Sequence, residues 1–271
     1  MQKLRFSIIT ICFNAEMTVR DTMESVINQE FDGYEYIIVD GKSSDRTNDI
    51  IKEYIPRFEK KGITVKYISE KDKGISDAFN KGIRMSSGEI IALINSGDAL
   101  LDGALSRLDK EFKDHDDIIY GNTICNDPEH YIKYMRTIPD HLDLNRMKYD
   151  GMIFTHQSSF VRSSVYEKYG LYDTSFKYVM DTDLFLKFYQ NGIAFRYVNF
   201  VFVSMLAGGV SSRPSIDLLK ENIRLSKKYG GYPESVMWMR WIAAKPKQWI
   251  VSALKRHPSI WYMLIGKKRC L

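Results

Sequence analysis

The stretch YEYIIVDGKSSDRTNDIIKEYI, Tyr34–Ile55, reads as a strand, a polar loop and the start of a helix in immediate succession. Its apolar run, YEYIIVD, ends at Gly41. Ser43, Ser44 and Asp45 then offer side-chain oxygens suited to a helix N-terminus, ahead of Ile50, Ile51, Tyr54, Ile55 and Phe58 at helical spacing. On the N-terminal side, Leu4–Phe13 is an Ile-rich run suited to a buried strand, followed by Val19, Met23, Val26 and Ile27 at helical intervals. On the C-terminal side, Thr64–Ser69 alternates as a third strand, Ile75–Met85 reads as a helix and Glu89–Ile94 as a fourth strand. Strands alternating with helices of this length predict parallel βαβ units with right-handed crossovers. The expected class is therefore α/β, with a Rossmann-like nucleotide-binding half over residues 1–115.

Further on the pattern is less regular. Ile118–Tyr120, Tyr131–Met135, Phe154–Val161 and Phe195–Val203 are strand-like, while Asp181–Tyr189 and Ile216–Tyr229 read as helices. Neither an internal repeat nor a linker interrupts the chain before about residue 230. One domain with a mixed central sheet is expected over 1–230, its second half being 116–230, with a tail over 231–271.

The 271 residues are 44% hydrophobic and 27% charged, which matches globular proteins and excludes disordered and fibrous classes. The longest nearly apolar stretch, Phe200–Val210, is too short for a bilayer span of about 20 residues. No cleavage-like segment follows the first hydrophobic run, so no secretory leader is expected. Cys12, Cys125 and Cys270 are too few and too scattered for a disulfide framework or a zinc site, which fits a reducing, cytoplasmic setting. The net charge of +5 is uneven: residues 238–271 carry eight cations and no acid, leaving 31 basic and 34 acidic side chains in the first 237. A body of net −3 lacks the cationic face that nucleic acid requires.

In open α/β sheets ligands bind beyond the carboxyl ends of the strands. Four polar sets fall there: Thr10–Asn14, Asp40–Asp45, Glu70–Gly74 and Asn95–Asp98. Neither GxGxxG opening a helix nor GxxxxGK[ST] occurs, which argues against a dehydrogenase or a phosphate-loop NTPase.

The segments SIITICFN (Ser7–Asn14), YEYIIVDGKSSDRT (Tyr34–Thr47), SEKDKGISDAFNKGI (Ser69–Ile83) and GEIIALINSGD (Gly88–Asp98) resemble the family-2 glycosyltransferases. THQSSFVRSSVYEKYGLYDTSFKYVMDTDLFLK (Thr155–Lys187) is similar to that family's acceptor-side block, so the resemblance spans about residues 4–212. Bacterial enzymes of exopolysaccharide, O-antigen and capsule synthesis are the group most alike. The resemblance implies a GT-A fold and an inverting transfer from a nucleotide-diphosphate sugar, UDP-sugars foremost, to a saccharide acceptor that is often lipid-linked.

Carried over by position, it implies that Thr10, Asn14 and Asp40 hold the nucleotide and that Asp72 contacts the nucleoside. Asn80 and Lys81 on the next helix, Asn95 and Arg213 complete the donor set, although Asp77 and Lys81, four apart, equally suit a simple ion pair. The family holds Mg²⁺ or Mn²⁺ with paired carboxylates at the end of the fourth strand. Here the run is Asn95-Ser96-Gly97-Asp98, so Asp98 is the one carboxylate, with His156 as a further ligand or a phosphate contact, or else a core histidine. Asp181 matches the catalytic base; capping of its helix is the alternative role. Asp183 is then structural, facing the helix start or a basic neighbour. Two segments, 122–134 and 207–214, are expected to close over the substrates. Rival functions are a sugar-nucleotide nucleotidyltransferase, though its glycine-rich basic segment is absent after the first strand, and a non-catalytic nucleotide-sugar-binding module.

In the tail, Trp238, Trp241, Trp249 and Trp261 are interleaved with aliphatics and cations and interrupted at Pro246 and Pro258. Such clusters suit short amphipathic helices lying in a membrane interface, peripheral on the inner face of the cell membrane. The alternatives are packing on the body or a homodimer contact.

Overall fold

The structure is a computed structural model of the chain and describes residues 4–127, 132–139, 142–209 and 215–243. Its first part alternates as the sequence predicts: β1 (Phe6–Cys12), α1 (Val19–Ile27), β2 (Tyr34–Asp40), α2 (Thr47–Lys60), β3 (Thr64–Ser69), α3 (Ile75–Met85) and β4 (Ile90–Asn95). Then follow β5 (Ala99–Leu100), α4 (Ala104–Glu111), β6 (Ile118–Asp127), β7 (Ile132–Arg136), α5 (Met147–Asp150), β8 (Ser159–Arg162), α6 (Ser163–Tyr169), α7 (Met180–Gln190), β9 (Phe195–Leu206) and α8 (Ile216–Tyr229).

These strands form one mixed sheet in the order β3-β2-β1-β4-β8-β6-β9-β5, with β7 hydrogen-bonded to β6. β1, β2, β3 and β4 run parallel, so their carboxyl ends share one edge. β8 runs antiparallel to β4 and to β6, and β6 runs parallel to β9.

Alternation of side chains explains why the first strands look apolar throughout. Phe6, Ile8 and Cys12 of β1 meet Val19, Met23 and Val26 of α1 and Ile51 and Phe58 of α2 on one face. Ile9 and Ile11 meet Ala78, Phe79 and Ile83 of α3 on the other, where α6, α7 and α8 also pack. A strand buried on both faces has no polar side to show. A Cβ on Gly82 would collide with the Ile9 side chain, so the glycine lets α3 lie close on β1.

One expectation is corrected. The Phe154–Val161 strand is only Ser159–Arg162; Ser158 N–H donates to Thr155 O, and His156–Ser158 form a 3₁₀ turn beside the end of β4. Of the stretch 122–134, Asn122–Asp127 belong to β6 and pair with β9, and Ile132–Arg136 pair back on β6, while 128–131 lie outside the described residues. The closing role expected of 207–214 falls mostly on 210–214, outside the described residues.

Candidate active site

The first two loops at the strand ends are stitched to each other. Asn14 Oδ1 accepts from Ser44 N at 2.9 Å, and Ser43 Oγ accepts from Asn14 N at 2.8 Å. Asp45, two residues ahead of α2, accepts from Thr47 N at 3.0 Å and from Glu16 N at 3.1 Å, while the N-cap position itself is Arg46 and carries no side-chain cap bond. Asp40 is fully enclosed: it accepts from Ser43 N at 3.0 Å, from the Ser43 hydroxyl and from Ser69 Oγ at 2.6 Å. The DGKSSDRT run thus spends most of its oxygens on shaping its own loop. Asn14 and Lys42 hold positive φ here, a costly conformation for a non-glycine residue that the surrounding bonds sustain.

What opens onto solvent at this corner is a different set. Phe13 is 64% exposed. A Cβ on Gly41 would lie 2.6 Å from Asp72 Oδ2 and 3.2 Å from Phe13 Cδ2, so the missing side chain lets the Asp72 carboxylate and the Phe13 ring close over buried Gly41.

At the end of β4, α1 pins the Asn95–Asp98 turn: Thr22 Oγ1 donates to Asp98 O at 2.7 Å and accepts from Gly97 N at 2.9 Å. Asp98 is 3% exposed; its Oδ1 accepts from Leu206 N at 2.9 Å, whereas Oδ2 and the neighbouring Asn95 Oδ1 are buried without a hydrogen-bond partner. Burial pushes the Asp98 carboxyl up to about 7, against the Leu206 and Asn95 backbone and the approaching Gln157 side chain. Buried oxygens left unpaired are costly and mark a place built for a missing partner. Oxygen donors of this kind match a hard divalent ion, but no cluster of three His, Cys, Asp or Glu exists among the described residues. Asp98 and Asn95 therefore fit such an ion only where phosphate oxygens and water complete its shell.

His156 is not disposed as a ligand. Its Nε2 is hydrogen-bonded to the Tyr172 hydroxyl, its ring packs among Phe79, Tyr172 and Phe185, and burial depresses its pKa to about 4. It is a neutral core histidine. Adjacent residues point to different neighbours, His156 to Tyr172 and Gln157 to Asp98.

Asp181 lies in the first turn of α7, half-buried, with Oδ1 accepting from Thr182 N at 2.7 Å and Oδ2 without a hydrogen-bond partner among the described residues. Burial raises its pKa, and its charge is felt by the Tyr172 phenol. A carboxylate with one oxygen anchored and the other free, of raised basicity, is equipped to take a proton. Asp183 is locked instead: Lys228 Nζ donates to it at 2.6 Å and Tyr229 Oη at 3.0 Å.

Three residues of the expected donor set have protein partners for their side chains. Thr10 sits inside the sheet core and accepts from Tyr36 Oη at 3.0 Å. Asn80 clamps the Tyr172 peptide, donating to its O and accepting from its N, both at 2.9 Å. Lys81 is paired with Glu70 at 2.9 Å and Asp77 at 3.6 Å, the ion-pair alternative. Arg213 lies outside the described residues. Gln157, which follows His156 in the sequence, faces Asp98.

A nine-stranded mixed sheet with a polar nucleotide corner and an acidic turn at the end of β4 defines a glycosyltransferase of GT-A architecture. Residues 7–170 match Glycosyl transferase family 2, and the chain belongs to that family. This decides against the nucleotidyltransferase and the non-catalytic module. A PGL/p-HBAD biosynthesis glycosyltransferase of Mycobacterium bovis is 24% identical over 241 residues, 87% of this chain and 90% of its own. The fold is shared with TarS of S. aureus: residues 1–349, in complex with UDP-GlcNAc, superpose with a TM-score of 0.65 at 17% identity over 86% of this chain and 69% of that one. The chain spans 39% of the longer TarS chain. A mannosyltransferase of Pyrobaculum calidifontis, in complex with GDP-Man and Mn²⁺, gives a TM-score of 0.62 at 13% identity, covering 100% of this chain and 77% of that one.

Proposed function

We propose that this enzyme moves a sugar from a nucleotide-diphosphate sugar to a hydroxyl of a saccharide acceptor in surface-polysaccharide synthesis, inverting the anomeric centre. The observations that carry this are an Asp181 oxygen without a hydrogen-bond partner among the described residues and the buried, unpartnered Asp98 Oδ2 and Asn95 Oδ1. Phe13, Gly41 and Asp72 receive the nucleoside, and Asn14 supports the same corner. Asp181 Oδ2 accepts the proton of the attacking hydroxyl as its oxygen bonds to the anomeric carbon and the bond to the departing diphosphate breaks. Asp98 and Asn95 would hold a divalent Mg²⁺ or Mn²⁺ ion with the diphosphate, which when bound neutralises charge on the leaving group. UDP-GlcNAc and GDP-Man in the two related complexes, one also containing Mn²⁺, support a nucleotide-sugar donor and a divalent ion.

Screening UDP-, GDP- and dTDP-sugars by thermal stabilisation identifies the donor, since a bound ligand raises apparent stability by mass action. The anomeric configuration of the product, read by NMR, checks the rest: retention of configuration overturns the single displacement.

The acceptor is lipid-linked and the tail brings the enzyme to it. No helix among the described residues is long and apolar enough to cross a membrane. Residues 234–243 are helical, with Met239 63% and Ile242 59% exposed and Trp238 against Trp241. Arg240 lies 3.9 Å from Asp150 and over the Tyr232 ring, so this helix leans on the body while exposing apolar side chains. Such a surface, followed by the cations of 244–271, suits an anionic leaflet on the cytoplasmic side. Sedimentation with anionic liposomes, comparing the full chain with one ending at Glu234, is expected to pellet only the full chain. Equal recovery of both in the supernatant at low salt overturns the membrane role and leaves folding or homodimer contact for the tail.

A further inference from the structure

Helix α8 lies far from the strand ends in sequence, yet one of its faces grips the segment that delivers Asp181. Glu221 accepts from three successive backbone amides just ahead of α7: Lys177 N at 2.8 Å, Tyr178 N at 2.7 Å and Val179 N at 3.3 Å. Three residues on, Arg224 lies 3.6 Å from the centroid of the Phe176 ring and donates to Ser175 Oγ at 2.5 Å. Four further on, Lys228 and then Tyr229 hold Asp183. Positions 221, 224 and 228 follow the spacing of one helical face. Asp181 is thus bracketed: Glu221 fixes the amides two to four residues before it, and Lys228 fixes the carboxylate two residues after it. The free Oδ2 of Asp181 has no bond of its own to aim it, so its direction depends on how the first turn of α7 is held.

We propose that Glu221 is a positioning residue for glycosyl transfer, fixing the start of α7 so that Asp181 meets the attacking hydroxyl. The proposal rests on Asp181 being the base. A carboxylate satisfying three amides at once is a charge-assisted anchor that no neutral side chain reproduces in full. Misplacing a base by about 1 Å is enough to cost a large factor in rate while the donor corner, formed by other loops, is left alone.

The test uses the full chain and whichever sugar of the UDP-, GDP- and dTDP-sugar panel gives the fastest nucleoside-diphosphate release, with water as acceptor. Glu221→Ala is expected to lower kcat by about 10- to 100-fold. The donor KM stays within about two-fold, the split that marks an interaction used after binding. Glu221→Gln, which keeps an acceptor oxygen, should recover part of the loss. On an Asp181→Asn background Glu221→Ala should add nothing further, because both act through one proton transfer. Amide hydrogen exchange at 177–183 should quicken in Glu221→Ala with the β1–β4 amides unchanged, a readout that needs no turnover. Unchanged kcat, a loss seen only in KM, equal losses on both backgrounds, or unaltered exchange at 177–183 each overturn the proposal. If Asp181→Asn itself turns over normally, the assignment of the base falls and this inference with it; if that variant is dead and Glu221→Ala is not, only the positioning role falls.

Discussion

The loops after β1 and β2 and the turns around Asp98 and Asp181 are equally rich in polar side chains, yet they treat them oppositely. In the first region nearly every oxygen has a protein partner: Asp40 is filled by Ser43 and Ser69, Asn14 by Ser44, Asp45 by Thr47 and Glu16. In the second, Asp98 Oδ2, Asn95 Oδ1 and Thr155 Oγ1 are buried without partners. Asp181 keeps one oxygen without a hydrogen bond among the described residues. The most recognisable motif thus has its oxygens bonded within its own loops, whereas the turns around Asp98 and Asp181 leave polar atoms without a partner among the described residues.

That contrast fails or sharpens with four measurements. Asp181→Asn keeps shape but removes basicity, and transfer is expected to fall by about 10²- to 10⁴-fold with donor binding intact. Near-normal turnover would move the base elsewhere. Asp98→Ala should abolish the part of donor affinity that depends on Mn²⁺ and spare the part measured in EDTA; equal losses by calorimetry in both would make Asp98 another scaffold residue.

Asp40→Ala, by contrast, should act on folding. It strands the Ser43 amide and two hydroxyls, a cost of about 1–3 kcal/mol read from urea unfolding. Donor affinity of the folded fraction should change little. A large loss of affinity at unchanged stability would return Asp40 to the ligand.

The smallest effect is a slope. His156 has its pKa lowered by burial from 6.5 to about 4, so the unfolded chain binds the extra proton first. Its contribution to stability is complete above pH 6.5 and is lost as pH falls toward 4. Asp98, raised from 3.8 to about 7, contributes the opposite slope across that window, its contribution being lost as pH rises. His156→Phe should therefore lose less stability between about pH 7 and about pH 5 than the parent does. Identical slopes would mean that His156 titrates normally and is not enclosed.

The same contrast explains what could be read from sequence. β1, β2 and β4 were legible because strands buried on both faces are largely apolar, the edge strand β3 by its alternation, and α1, α2 and α3 because each turns one stripe to the sheet. α4, α5, α6 and the two-residue β5 were not, being short and set by tertiary contacts; the Phe154–Val161 run looked like strand although Thr155–Ser158 turn to meet β4. Among site residues, Asp181 and Asp98 carried family spacing. Position alone could not tell that Thr10 faces Tyr36, that Asn80 grips Tyr172, or that Lys81 is already paired, since a motif gives residue types and not the direction of each side chain. Phe13 and Gly41 escaped notice because their value lies in an exposed ring and a missing side chain.

Asp98 Oδ1 is satisfied by Leu206, a residue 108 positions later, and β5 joins the sheet only through β9. At roughly 5–20 residues per second of synthesis, about 5 to 20 s separate the two partners on the ribosome. Throughout that interval the nucleotide corner has all its strands, but the acidic turn is still open to water. The turn that carries Asp98 thus stays incomplete until β9 has been made.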